Sequence, residues 1–145
     1  MTTGILYLKQ LKTHKLKDMN PIKPKLLLVE DDLKLIPLIL KHLEDTYDVD
    51  YVHEGIEAIK KSSENNYNAF LIDIVLPGDL NGIQTAKKIR ELKNNSDKPY
   101  FAVTGLDLPG DKELFLSVGF THHIAKPINF PDFLKLIELV LNSPR

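Results

Sequence analysis

Apolar residues along this chain fall into short unbroken runs, separated by longer stretches in which they recur at helical spacing. Lys25-Leu26-Leu27-Leu28-Val29 does not alternate, which is the pattern of a strand buried on both faces. Ala69-Phe70-Leu71-Ile72 and Tyr100-Phe101-Ala102-Val103 read the same way, and Val49-Asp50-Tyr51-Val52 and Phe120 to Ala125 read as further strands. Between them lie residues 33–45, with Leu35, Ile36, Ile39, Leu40 and Leu43 on one helical face, then predicted helices over 54–64, 82–93 and 110–118. Ile128 to Leu141 closes the pattern with an amphipathic helix. Strand and helix alternate five times, so the expected fold is α/β: a parallel sheet covered on both faces, with right-handed crossovers.

Two prolines bear on the boundaries. Pro21 and Pro24 mark a break near residue 24, which leaves residues 1–24 as an expected flexible leader and residues 25–142 as one domain. Pro37 falls inside the first predicted helix, so that helix either begins late, near Lys34, or kinks. At 145 residues, 43% hydrophobic and 27% charged, the chain suits a single packed domain. It has no Cys, which excludes disulfides, thiolate metal sites and thiol nucleophiles. No apolar run approaches the roughly 20 residues that span a bilayer, so a cytoplasmic location with no membrane partner is expected. The charge is uneven: residues 1–25 hold six Lys and one Asp, a net +5, and the remainder holds 13 basic and 19 acidic groups, a net −6.

In open α/β sheets ligands bind beyond the carboxyl ends of the strands. Glu30, Asp31 and Asp32 follow the first apolar run, Asp73 the third, Thr104 and Gly105 the fourth, and Lys126 and Pro127 the fifth. Taken singly each has an ordinary explanation, and Asp32 in particular is expected to cap the following helix. Taken together they put carboxylates, a hydroxyl and an amine on one edge. Crowded carboxylates repel one another, and a divalent cation relieves that conflict. Mg²⁺ suits all-oxygen ligands and pairs with phosphate oxygens. Glu30, Asp31 and Asp73 are therefore the expected metal ligands. Asp73 offers a carboxylate oxygen as nucleophile, Lys126 a second positive charge and Thr104 a hydroxyl donor.

The order Leu28-Val29-Glu30-Asp31-Asp32, Leu71-Ile72-Asp73-Ile74-Val75-Leu76-Pro77, Asn81-Gly82, Val103-Thr104-Gly105 and Ala125-Lys126-Pro127 resembles the receiver domain of two-component response regulators, the chemotaxis-regulator fold. The resemblance implies a flavodoxin-like, doubly wound five-stranded sheet in the order 2-1-3-4-5 with five helices. It implies Asp73 as phosphoacceptor, Mg²⁺ on Glu30 and Asp31 with the backbone carbonyl of Val75 as a further ligand, and Lys126 against the phosphoryl group. Thr104 and His123, three residues before Lys126, would form the switch. The implied donor is a sensor histidine kinase or a histidine phosphotransfer protein. The implied output, for a single-domain receiver, is a downstream protein target met through surface contacts, with no nucleic acid bound by the domain itself. Two departures stand out. The stretch from Asp73 to Gly82 is one residue longer than usual in the family, through Gly78-Asp79-Leu80, and Asn81 stands where Asp is usual.

Two other readings compete. A metal-dependent phosphohydrolase would also use a carboxylate nucleophile and Mg²⁺, but Val75 stands where its general acid is expected. A receiver-like interaction module that is never phosphorylated would not need the full set of acidic residues, Thr104 and Lys126. His122 and His123 adjoin on a predicted strand and are expected on opposite faces, which argues against a joint metal site there.

Overall fold

The computed structural model of the chain describes residues 22–105 and 109–143. The elements, in chain order, are β1 (Lys25–Val29), α1 (Leu35–Leu43), β2 (Asp48–Val52), α2 (Gly55–Glu64), β3 (Ala69–Ile72), α3 (Gly82–Glu91), β4 (Tyr100–Thr104), α4 (Asp111–Ser117), β5 (His122–Ala125) and α5 (Phe130–Asn142). All strands pair in parallel in the order β2-β1-β3-β4-β5. The expected leader lies, up to residue 21, outside the described residues.

The unbroken apolar runs of β1, β3 and β4 are explained by burial on both faces. Leu26, Leu28, Leu71, Phe101 and Val103 point to one side and pack with Ile36, Ile39 and Leu43 of α1 and Phe133 and Ile137 of α5. Leu27, Val29, Phe70, Ile72 and Ala102 point to the other side, against Ala58, Ala86, Ile89 and Phe115 of α2, α3 and α4. Each fully buried Leu, Ile or Phe contributes about 1.5–3 kcal/mol from area removed from water, so these two layers hold the sheet edge rigid. The outer strand β2 keeps Asp48 and Tyr51 exposed, as a half-solvated strand does.

The Pro37 conflict resolves in favour of a late start. With α1 beginning at Leu35, Pro37 is its third residue, in the first turn, where backbone N–H groups have no partner within the helix. The carbonyl four residues back belongs to Leu33, outside the helix, so no clash arises. The cap expected of Asp32 falls short of the helix: Lys34 is the N-cap residue, without a side-chain cap, and Asp32 instead holds the turn before it, its Oδ1 accepting the N–H groups of Lys34 and Leu35 at 2.9 and 3.3 Å and its backbone carbonyl those of Leu35 and Ile36. The strand expected from Phe120 begins two residues later, at His122; Phe120 is instead a buried turn residue packed edge-on against Phe115.

The N–H groups of Lys34 and Leu35 hold the Asp32 carboxyl below the ordinary carboxylate range. A depressed carboxyl stabilises the fold above about pH 4, and that contribution is lost as the pH falls through its folded value. Asp32→Ala is therefore expected to lower the thermal midpoint at neutral pH, with the gap to wild type closing as the solution is acidified. Melting curves followed by circular dichroism across that range check both points.

Candidate functional site

The strand register brings the acidic residues together. Val29 pairs with Ile72, so the next residue on each strand, Glu30 and Asp73, emerges abreast at the carboxyl edge. The Asp73 N–H donates to the Val29 carbonyl at 3.0 Å, and the Glu30 N–H to the Val52 carbonyl at 3.0 Å. On the other side Thr104 pairs with Ala125, which delivers Lys126 to the same edge. Glu30, Asp73 and Thr104 are buried, and Asp31 is exposed at the rim.

Lys126 joins the two buried carboxylates. Its Nζ donates to Asp73 Oδ2 at 2.8 Å and lies 2.5 Å from Glu30 Oε1. The second contact is an ion pair without hydrogen-bond alignment, which leaves Oε1 with no aligned donor. Glu30 Oε2 is held by the N–H groups of Asp31 and Asp32, at 3.0 and 3.2 Å. Asp73 Oδ1 accepts the Val75 N–H at 3.0 Å. Both carboxylates are thus gripped by backbone on one oxygen and offered to a cation on the other.

Burial pushes the Glu30 carboxyl above its ordinary value. The Asp73 charge adds to that rise, and Lys126 and the Asp32 N–H counter it in part. Burial also disfavours the charged Lys126, but its close contacts with the Asp73 and Glu30 carboxylates and their charge outweigh that and raise its pKa. The ammonium is therefore secure, and the strain sits on Glu30.

One carboxylate oxygen from each of Glu30, Asp31 and Asp73 falls within a 4.8 Å cluster. Three ionised carboxylates against one ammonium leave two negative charges. That deficit, and an Oε1 lacking an aligned donor, fit a hard divalent cation better than a second lysine would. An added Cβ at Gly105 would meet nothing within 4 Å among the described residues.

The loop after Asp73 shows features that motif reading did not bring out. A side chain at Gly82 would collide with the Asp73 carbonyl and the Ile74 Cα, and the Gly82 N–H donates to the Ile74 carbonyl at 2.9 Å, so α3 presses directly on the backbone of Asp73 and Ile74. Asn81 caps α3 in a reciprocal box with Gln84: Asn81 Oδ1 accepts the Gln84 N–H, and Gln84 Oε1 accepts the Asn81 N–H, both at 2.9 Å. The Asn-x-x-Gln spacing is itself a capping-box signature and was the available signal. The lengthened loop turns at Gly78, with φ of 84°, against the Glu54 carboxylate. His122 and His123 do lie on opposite faces. The first stacks on Phe101, the second packs against Phe115.

The family profile described as response regulator receiver domain matches residues 26–138. The chain belongs to the response regulator receiver domain family. It is 36% identical over 118 residues to the transcriptional regulatory protein CpxR homolog of Haemophilus influenzae, covering 81% of this chain and 50% of that protein. The chain thus spans about half the length of the curated relatives it matches. Among solved structures it is similar to the receiver domain of sensor histidine kinase PA1611 of Pseudomonas aeruginosa, which has a magnesium ion coordinated in its active-site cleft. The TM-score is 0.76 at 30% identity, covering 83% of this chain and 99% of that one. It is also similar to the chemotaxis protein CheY4 of Vibrio cholerae, with a TM-score of 0.76 at 25% identity over 81% of this chain and 98% of that one. This receiver therefore has the CheY-like arrangement of five parallel strands and five helices. Among the described residues no helix is long and apolar enough to cross a membrane.

Replacing Lys126 by Met leaves two buried carboxylates facing each other. The variant is expected to lose about 1–3 kcal/mol at pH 7. Its Glu30 carboxyl should rise further, and a raised carboxyl binds protons more readily in the folded state. Part of the deficit is therefore recovered as the pH falls from 7 toward 5. Urea unfolding at several pH values without divalent metal measures this.

Proposed function

We propose that this receiver accepts a phosphoryl group on Asp73 from a phosphohistidine donor and passes the signal on through its surface. The observation that carries the reading is the pairing of a backbone-anchored, buried Asp73 with Lys126 beside the Glu30–Asp31 pair. The Val75 N–H fixes Asp73 Oδ1 and leaves Oδ2, the oxygen now on Lys126, to attack phosphorus. The new O–P bond forms as the N–P bond of the donor breaks. Lys126 stays with the transferred oxygens, and the Thr104 hydroxyl donates to them, so transfer needs positioning and charge balance rather than further covalent help. Glu30, Asp31, Asp73 and the Val75 carbonyl would hold Mg²⁺, which when bound neutralises charge on the phosphoryl oxygens.

The rim of the site supports a protein donor. Leu33 and Val75, two residues on from Asp31 and Asp73, are 72% and 61% exposed, and Ile56 is exposed in the first turn of α2, which we read as an apolar collar beside the polar centre. A sensor histidine kinase or histidine phosphotransfer protein fits such a collar through an apolar face carrying the phosphohistidine, and this donor class sets a cytoplasmic location. On the output side, Leu114 and Leu116 of α4 and Leu139 of α5 are exposed beside β5 and offer a contact surface for a downstream protein target. Thr104 and His123 connect the site to that surface as the switch pair. Val75, apolar and exposed where a phosphohydrolase would carry its general acid, supports a signalling role rather than turnover of external substrates.

The test is incubation with Mg²⁺ and acetyl phosphate, followed by intact mass. Wild type is expected to gain one phosphate, and Asp73→Asn and chelator-treated wild type none. Equal addition to Asp73→Asn, or none to wild type, would reject the reading.

A further inference from the structure

Asn81 and Gly82 each answer a different demand of the fold. A Cβ on Gly82 would strike the Asp73 carbonyl oxygen and the Ile74 Cα, so only glycine fits at the first residue of α3. The residue before it must cap the helix with a short side chain that accepts the Gln84 N–H, and Asn81 does so at 2.9 Å. Met together, the two demands produce the single Asn–Gly pair in the chain.

That pair is reactive in itself. Without a Cβ on residue 82 to obstruct the approach, the backbone nitrogen of Gly82 can attack the side-chain carbon Cγ of Asn81. An N–C bond forms, the Cγ–Nδ2 bond breaks, and Nδ2 leaves as ammonia with the proton that Gly82 gives up. Water then opens the resulting succinimide at either carbonyl, giving aspartate or isoaspartate at position 81. Water is the sole co-reactant, and Asn81 is exposed to it.

The folded chain opposes the attack. Ring closure needs the Gly82 nitrogen free of its proton and the Asn81–Gly82 peptide free to rotate. The first N–H groups of a helix ordinarily lack a backbone partner, yet the Gly82 N–H donates to the Ile74 carbonyl at 2.9 Å. At the other end of the same peptide the Asn81 carbonyl accepts the Thr85 N–H at 3.0 Å and the Thr85 hydroxyl at 2.7 Å. The Asn81 N–H donates to Gln84 Oε1 at 2.9 Å, which closes the box around the reacting side chain. The nucleophile, the peptide that must turn and the side chain it must reach are all held, and Gly82 is buried.

We propose that Asn81 is a spontaneous deamidation site that the fold keeps closed, reacting when the start of α3 lifts from the Asp73–Ile74 backbone. Isoaspartate would lengthen the main chain by one carbon there and draw Gly82 away from Ile74. The change is irreversible, so it marks the chains in which this helix start has opened. Nothing in this chemistry requires the phosphoacceptor reading.

The experiment incubates the full chain in mildly alkaline buffer, with and without denaturing urea, and follows Asn81 by peptide mapping with an isoaspartate assay. In urea Asn81 is expected to convert to isoaspartate and aspartate. In the folded chain conversion should be at least about tenfold slower, because it must wait for local opening. Gln84→Ala removes one strap from an exposed helix position and should speed conversion in the folded chain about fivefold, the effect of one lost hydrogen bond on an opening equilibrium. The proposal is overturned if Asn81 stays intact in urea, if the folded chain converts as fast as the unfolded one, or if Gln84→Ala converts at the wild-type rate. Should Gln84→Ala fail to fold, wild type in rising sub-denaturing urea takes its place. Conversion of Asn81 should then accelerate in step with hydrogen exchange at the Gly82 amide, and conversion that ignores that exchange overturns the proposal.

Discussion

Two carboxylates forced side by side at the end of a buried sheet set the terms for the rest of this molecule. Glu30 and Asp73 are neighbours because β1 and β3 are, and β1 and β3 pair because both carry apolar residues on each face. The like charges do not stand unbalanced: Lys126 bridges them, and the backbone of Asp31, Asp32 and Val75 holds their other oxygens. Lys126 in turn reaches this point only because β5 is registered against β4, its own N–H donating to the Thr104 carbonyl. A shift of one residue in the β4–β5 pair would move the ammonium away and leave the carboxylates facing each other, and a shift in the β1–β3 pair would part the carboxylates themselves.

Such an arrangement is poor for stability and good for chemistry. A buried acid pair with a single counterion holds an electrostatic imbalance that a divalent cation would relieve. Rigidity around the pair keeps the imbalance focused. Gly82 lets α3 sit directly on the Asp73 carbonyl, and the Asn81–Gln84 box fixes the start of that helix. On the far side the constraint relaxes. The short α4 has one buried side chain, Phe115, and a tie at its end from Arg90 to the Val118 carbonyl.

The sheet was readable in the sequence because strands buried on both faces cannot hide: Leu26–Val29, Ala69–Ile72 and Tyr100–Val103 have no polar residue to break the run. The acidic edge was equally legible, since a polar residue straight after such a run must fall at the strand's end. Distance-dependent features were not. That Lys126 would touch both Glu30 and Asp73 depends on the β4–β5 register, which no local pattern encodes. Pro37 read as a conflict until the helix start at Leu35 placed it in the first turn. Gly82 carried no visible signal beyond its motif, because what it avoids is contact with a backbone in another element. His123 was expected on the face opposite His122, and it packs there against Phe115 while His122 stacks on Phe101.

The central claim is that Asp73 forms an acyl phosphate, and the bond itself can be read. An acyl phosphate is reduced by borohydride to an alcohol, so phosphorylated chain treated with borohydride and mapped by peptide mass spectrometry should carry homoserine at position 73 and unreduced aspartate or glutamate at every other acidic position. Homoserine at another position, or phosphate that survives reduction on a hydroxyl or imidazole side chain with Asp73 intact, would contradict it.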